Sequence, residues 1–184
     1  MSKSALRKRF RLERTAFVGG LSAQQRAHLT DALIRQLTPW AGAAIASYAA
    51  VGDEIDPGRR FSGTAALLPR IRADGQLDFA LPTTLVRHPF GIDEPAALLP
   101  ALDPDVILVP LLAVDADGYR LGQGGGYYDR TLAAMRARRR VFAIGCAWPV
   151  QCIERLPREP WDERLDAVVT PDGCLRLSGG GSAP

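Results

Sequence analysis

Residues 105–147 read DVILVPLLAVDADGYRLGQGGGYYDRTLAAMRARRRVFAIGCA, and this stretch decides the fold. Asp105–Pro110 is a continuous apolar run closed by proline, the pattern of a strand buried on both faces. Val141–Ala147 is a second run of the same kind, and the spacing between them predicts a helix over Tyr127–Arg139. Apolar strands separated by helices indicate a mainly parallel sheet covered on both faces.

The flanking segments extend this pattern. Residues 3–18 place Leu6, Phe10 and Phe17 near helical spacing with basic residues between them, an amphipathic helix. A second helix starts after Ser22, where Gln25 three residues on makes a capping box. Leu29, Leu33, Ile34 and Leu37 form its apolar stripe, and Pro39 ends it. Ala43–Ala50 predicts a buried strand carrying Ile45 and Tyr48. Ala65–Ile71 reads as a helix or its end, Leu77–Leu81 as a short strand, and Ala167–Thr170 as the last strand. In open α/β sheets, ligand sites cluster beyond the carboxyl ends of the strands. The segments VGDEIDP (51–57), LLAVDADGYRLGQGGGYYDR (111–130) and AWPVQCIERLP (147–157) follow such ends, so three polar loops are expected on one rim.

Composition bounds the function. With 184 residues and 47% hydrophobic content the chain suits one globular domain, taken as 1–177, followed by a flexible tail, 178–184, rich in small residues. Lys and Arg number 23 against 20 Asp and Glu, an excess too small and too dispersed for nucleic-acid binding. The clusters Arg7–Arg11 and Arg136–Arg140 read as solvated helix faces. Cys146, Cys152 and Cys174 show no CxxC spacing, and His28 and His88 stand alone. A disulfide framework or zinc site is therefore not expected, and a reducing cytoplasm is. Cys146 reads as a core residue. No stretch approaches the roughly 20 apolar residues of a membrane span.

The glycine run carries the chemistry. Gly122, Gly124, Gly125 and Gly126 lie between a strand and a helix, where glycine lets backbone N–H groups approach a ligand and the helix N-terminus favours an anion. By spacing alone a plain glycine-rich hairpin fits as well. The flanks are more specific: Arg120 offers a fork suited to phosphate, and Asp129 places a carboxylate in the first turn. A carboxylate beside a phosphate cradle repels the ligand unless a cation lies between, and Mg2+ takes both kinds of oxygen. GxxxxGK[ST] is absent, and the compressed glycines do not suit a dinucleotide fingerprint.

With those flanks included, Val109–Leu132 resembles the signature of the 5-formyltetrahydrofolate cyclo-ligase family. KSALR at 3–7, GDEIDP at 52–57, GIDEP at 91–95 and the block at 144–170 agree in order. The resemblance covers most of residues 3–172. It implies a single three-layer α/β/α domain and a ligase that converts 5-formyltetrahydrofolate to 5,10-methenyltetrahydrofolate, consuming ATP with Mg2+. It also implies small-molecule substrates, and a monomer is the expected state. By the same resemblance Lys3, Arg7 and Arg120, Leu121, Gly122, Gln123, Gly124, Gly125, Gly126, Tyr127 and Tyr128 contact ATP, with Arg120 and Tyr128 catalytic. Val51, Glu54 and Asp56 contact the folate together with Gln123–Tyr127, while Asp129 and Asp162 hold the metal. Trp148 is open to two readings, a shelf for a folate ring or a core residue. Gln123 departs from the family, which usually carries a larger aromatic or basic residue there. The competing readings are a sugar-phosphate isomerase or CoA-transferase-like enzyme on a related scaffold, and a non-catalytic nucleotide or folate binder.

Overall fold

The structure, a computed structural model, describes residues 2–58, 60–61, 64–88 and 91–177; the predicted tail, 178–184, lies outside the described residues. In chain order the helices are α1 (Lys3–Gly19), α2 (Ala23–Gln36) and α3 (Tyr127–Arg136). The strands are β1 (Ile45–Ala46), β2 (Arg60–Phe61), β3 (Thr64–Ala65), β4 (Leu68–Ile71), β5 (Leu77–Ala80), β6 (Leu85–Arg87) and β7 (Asp93–Pro95). They continue with β8 (Val106–Pro110), β9 (Ala113–Asp115), β10 (Arg120–Leu121), β11 (Phe142–Cys146), β12 (Cys152–Ile153), β13 (Ala167–Thr170) and β14 (Gly173–Arg176).

The central sheet has the order β1-β8-β11-β13-β14. Its first four strands are parallel, and β14 closes the edge antiparallel. Side-chain alternation sorts the apolar runs onto two faces. Val106, Leu108, Phe142, Ile144, Ala167 and Val169 pack with Val18 of α1, Leu33 of α2 and Leu37 just beyond its end. The alternate residues Ile107, Val109, Ala143 and Val168 pack with Leu132 and Met135 of α3 and with Leu77 and Phe79 of β5. Helices thus cover both faces of a mainly parallel sheet, as the sequence pattern requires, and a β-hairpin shares the second layer with α3.

Local signals explain the helices. Ser22 and Gln25 exchange both hydrogen bonds of the capping box. Ser2 caps α1 by accepting the Ala5 N–H at 3.2 Å. Two expectations need correction. Ala65–Ile71 is not helical: Leu68–Ile71 pairs antiparallel with Leu77–Ala80. Pro69 inside that segment lacks the N–H a helix interior needs. Of Ala43–Ala50 only Ile45–Ala46 is strand, because beyond β8 its outer edge meets a single bridge to Leu67.

Candidate functional site

The three loops expected on one rim do meet there. Gln123 Nε2 of the glycine loop lies 3.5 Å from Glu54 Oε1 of the first loop. Trp148 Nε1 donates to the Asp53 carbonyl at 2.8 Å. Gln151 is buried and donates to the Leu111 and Leu112 carbonyls at 2.7 and 3.1 Å. Asp115 accepts the N–H groups of Asp117, Tyr119 and Leu156, fixing the hairpin that leads into β10. These two polar residues tie the rim together from beneath.

The glycine loop runs from β10 into α3. Gly126 is the N-cap residue with φ +67°, the left-handed region that glycine enters without strain. Gly124 has φ +112°, and a Cβ there would sit 3.4 Å from the Arg7 guanidinium carbon. Arg7 therefore lies against the loop backbone, donating to the Gly122 carbonyl at 3.0 Å. Arg130 holds the far side by donating to the Gly125 carbonyl at 2.7 Å, its guanidinium 5.5 Å from the Tyr127 ring centre.

Arg120 is almost wholly buried and reaches the Asp129 carboxylate at 2.7 Å and the Glu163 carbonyl at 2.5 Å. Burial pulls its pKa below the ordinary value, with Asp129 opposing. Asp129 Oδ1 also accepts the Glu163 N–H at 3.1 Å. Asp162 Oδ2 accepts Lys3 Nζ at 2.6 Å and the Glu159 N–H at 2.7 Å. Each carboxylate thus has one oxygen engaged, while Asp129 Oδ2 and Asp162 Oδ1 accept no hydrogen bond from the described residues. Hard oxygens with spare acceptor capacity fit Mg2+. Among the described residues no group of three His, Cys, Asp or Glu gathers that could hold a metal.

A row of four cations on α1 is the feature that motif reading missed in part. Lys3 meets Asp162, Arg7 meets Gly122, Arg11 donates to Gln123 Oε1 at 3.0 and 2.8 Å, and Arg14 lies 3.6 Å from Glu54. At 100° per residue, positions 3, 7, 11 and 14 fall within roughly 80° of arc and span roughly 16 Å. That spacing was the available signal for Arg11 and Arg14, hidden because Arg7–Arg11 also reads as a solvated cluster.

Other sequence-predicted residues fall less centrally. Val51 is exposed, and its N–H donates to Glu54 Oε2 at 3.0 Å. Asp56 is exposed and accepts the Gly58 N–H within its own turn, with no contact to the glycine loop. Leu121 is buried against Phe10, Leu112 and Leu156, so only its backbone is offered to a ligand. Trp148 is fully buried with its ring 5.8 Å from that of Phe17, which settles it as core and not as a shelf. Cys146 is core too, its thiol pushed upward by burial. Tyr128 is half-buried, and its phenol is raised well above the ordinary range, first by burial and then by the Glu54 charge.

Fold and rim together define a mainly parallel α/β domain whose glycine loop is lined by cations. Residues 1–171 match the model of the 5-formyltetrahydrofolate cyclo-ligase family, and the chain belongs to that family. It is 41% identical over 99 residues to the 5-formyltetrahydrofolate cyclo-ligase of Escherichia coli K12, an alignment covering 52% of this chain and 54% of that one. The chain thus spans about half the length of that relative. The cyclo-ligase of Mycoplasma pneumoniae is 31% identical over 180 residues, covering 92% and 98%. In three dimensions the chain resembles 5,10-methenyltetrahydrofolate synthetase of Aquifex aeolicus, with a TM-score of 0.80 and 32% identity over 100% of this chain and 97% of that one. Among the described residues no helix is long and apolar enough to cross a membrane.

Proposed function

We propose that the protein catalyses the ATP-dependent closure of 5-formyltetrahydrofolate to 5,10-methenyltetrahydrofolate, releasing ADP and phosphate. One observation carries this reading beyond family membership. The row Lys3, Arg7, Arg11 and Arg14 runs along the glycine loop, from the acid pair near Arg120 to the buried carboxylate of Glu54. One end suits phosphates, the other the N–H groups of a pterin, and the loop lies between them.

The chemistry asks for positioning and charge neutralisation. A formyl oxygen is a poor leaving group. It attacks the γ-phosphorus, ADP departs, and the resulting iminium phosphate is attacked by N10, which loses its proton as phosphate leaves. In this reading Lys3 and Arg7 grip the triphosphate, and backbone N–H groups of Gly122–Gly126 receive phosphate oxygens. Arg120 neutralises charge at the transferring group. Asp129 and Asp162 hold Mg2+, which would shield phosphate charge when bound. Tyr128, kept neutral by burial, donates a hydrogen bond near the reacting oxygen. Glu54 accepts from the pterin amino and ring N–H groups, beside the Val51 backbone and Gln123. Asp56 stands at the outer lip, its place in the folate site resting on the family resemblance. No protein nucleophile is required.

The test mixes purified protein with Mg-ATP and 5-formyltetrahydrofolate and follows the methenyl product by its near-ultraviolet absorbance. Stoichiometric product and ADP are expected. Folded protein giving no product at any substrate concentration would sink the reading.

A further inference from the structure

No motif in the sequence draws on Arg14, yet it is among the few buried charged residues of those described, 7% exposed, and faces Glu54 at 8%. Its NH1 lies 3.6 Å from Glu54 Oε1, an ion pair too long for a hydrogen bond, and its Nε and NH1 have no hydrogen-bond partner among the described residues. Glu54 Oε2 is taken by the Val51 N–H at 3.0 Å. Among the described residues Oε1 has only the long contacts to Arg14 and to Gln123 Nε2 at 3.5 Å. A buried ion pair with unfilled N–H groups is a poor device for stability, since apolar residues of similar volume often do as well. It suits a carboxylate fixed at Oε2 by a backbone N–H and held at Oε1 only by a long-range charge that a ligand donor can join.

We propose that Arg14 is a positioning residue: its charge faces Glu54 Oε1 while the Val51 N–H holds Oε2, and together they keep the carboxylate beside Gln123 of the glycine loop for the pterin edge of the substrate. The proposal rests on the folate reading of Glu54 given above. Arg14 acts only through Glu54. Its removal lets the carboxylate swing, and the folate is held less well while the phosphate end of α1 is untouched.

The test measures KM for 5-formyltetrahydrofolate and for Mg-ATP in the wild type, Arg14→Met, Arg14→Lys, Glu54→Gln and the double variant Arg14→Met/Glu54→Gln, with folding checked by circular dichroism. Arg14→Met is expected to raise the folate KM about tenfold, the loss of one charge-assisted hydrogen bond, with the ATP KM unchanged. Arg14→Lys falls between it and the wild type, because the charge remains and the fork is lost. The double variant matches Glu54→Gln alone, since residues acting as one unit are not additive. Additive losses mean Arg14 touches substrate itself and overturn the proposal, as does an unchanged folate KM or an equal rise in both constants. Where Arg14→Met does not fold, Arg14→Lys decides, and a wild-type folate KM overturns the idea. A folded wild type without product instead removes the functional reading and this proposal with it, whereas an active wild type beside an undisturbed Arg14→Met removes only the proposal.

Discussion

Lys3 and Arg14 stand near opposite ends of one helix, and each meets a carboxylate brought in by a loop, yet the two ion pairs are built differently. Lys3–Asp162 is short, 2.6 Å, with side chains 19% and 14% exposed. Arg14–Glu54 is 3.6 Å apart and more deeply buried. The first is a latch partly open to water; in the proposed reading a polyphosphate would take over the ammonium and a metal the carboxylate. The second is closed from solvent and cannot be exchanged without a cost in desolvation. In that reading the same helix would offer a mobile charge to a strongly anionic ligand and a fixed one to a ligand with directional N–H groups.

The comparison can be broken most severely at the phosphate end. Asp129→Asn is expected to lower kcat/KM for Mg-ATP by about 100- to 1000-fold, the scale for a preorganised electrostatic contact, with folate binding measured by titration left intact. Equal loss of both would contradict a metal role. The next effect is on stability. Arg14→Met should cost about 3 kcal/mol in urea unfolding, because it leaves a buried carboxylate unpaired, whereas Lys3→Met costs about 1 kcal/mol or less. Similar values for the two would erase the distinction between latch and anchor. Glu54→Gln should then raise the folate KM about tenfold and spare ATP, read from steady-state kinetics.

Smaller effects sharpen the picture. Lys3→Met is expected to raise the ATP KM about fivefold at low salt and less at high salt, because a partly exposed charge is screened. A salt-independent effect would place Lys3 in a structural role. Last, burial raises the Tyr128 pKa, so its neutral form persists as pH rises through the ordinary tyrosine range. Tyr128→Phe should therefore lower kcat without moving the alkaline limb of the pH–rate profile; a displaced limb would mean that the phenol ionises in turnover.

Legibility followed the physical range of each signal. The runs now seen as β8 and β11, and the capping box of Ser22 and Gln25, are local patterns and were readable residue by residue. The hairpin of β4 and β5 was harder, because Leu67 and Leu68 are apolar neighbours that suit either helix or strand until an antiparallel partner fixes them. Trp148 was ambiguous for a related reason. An aromatic beside a polar loop serves ligand or core equally well, and only the packing of Phe17 and the Asp53 carbonyl decides. Gln151 and Asp115, which no sequence signal singled out, are staples beneath the rim. Arg11 and Arg14 carried a helical spacing with Lys3 and Arg7, but a basic residue at such spacing is ordinarily a solvated face.

By itself the sequence determined the mainly parallel sheet, the position of the glycine cradle and the family to which both belong, because apolar periodicity and glycine spacing act over a few residues. Only the tertiary structure decided which charges share the cradle. The pairing of Lys3 with Asp162 and of Arg14 with Glu54 joins residues far apart in the chain, and it exists only once α1 is laid across the carboxyl ends of the strands. Electrostatic partnership depends on distance and burial, neither of which is written in the order of the residues.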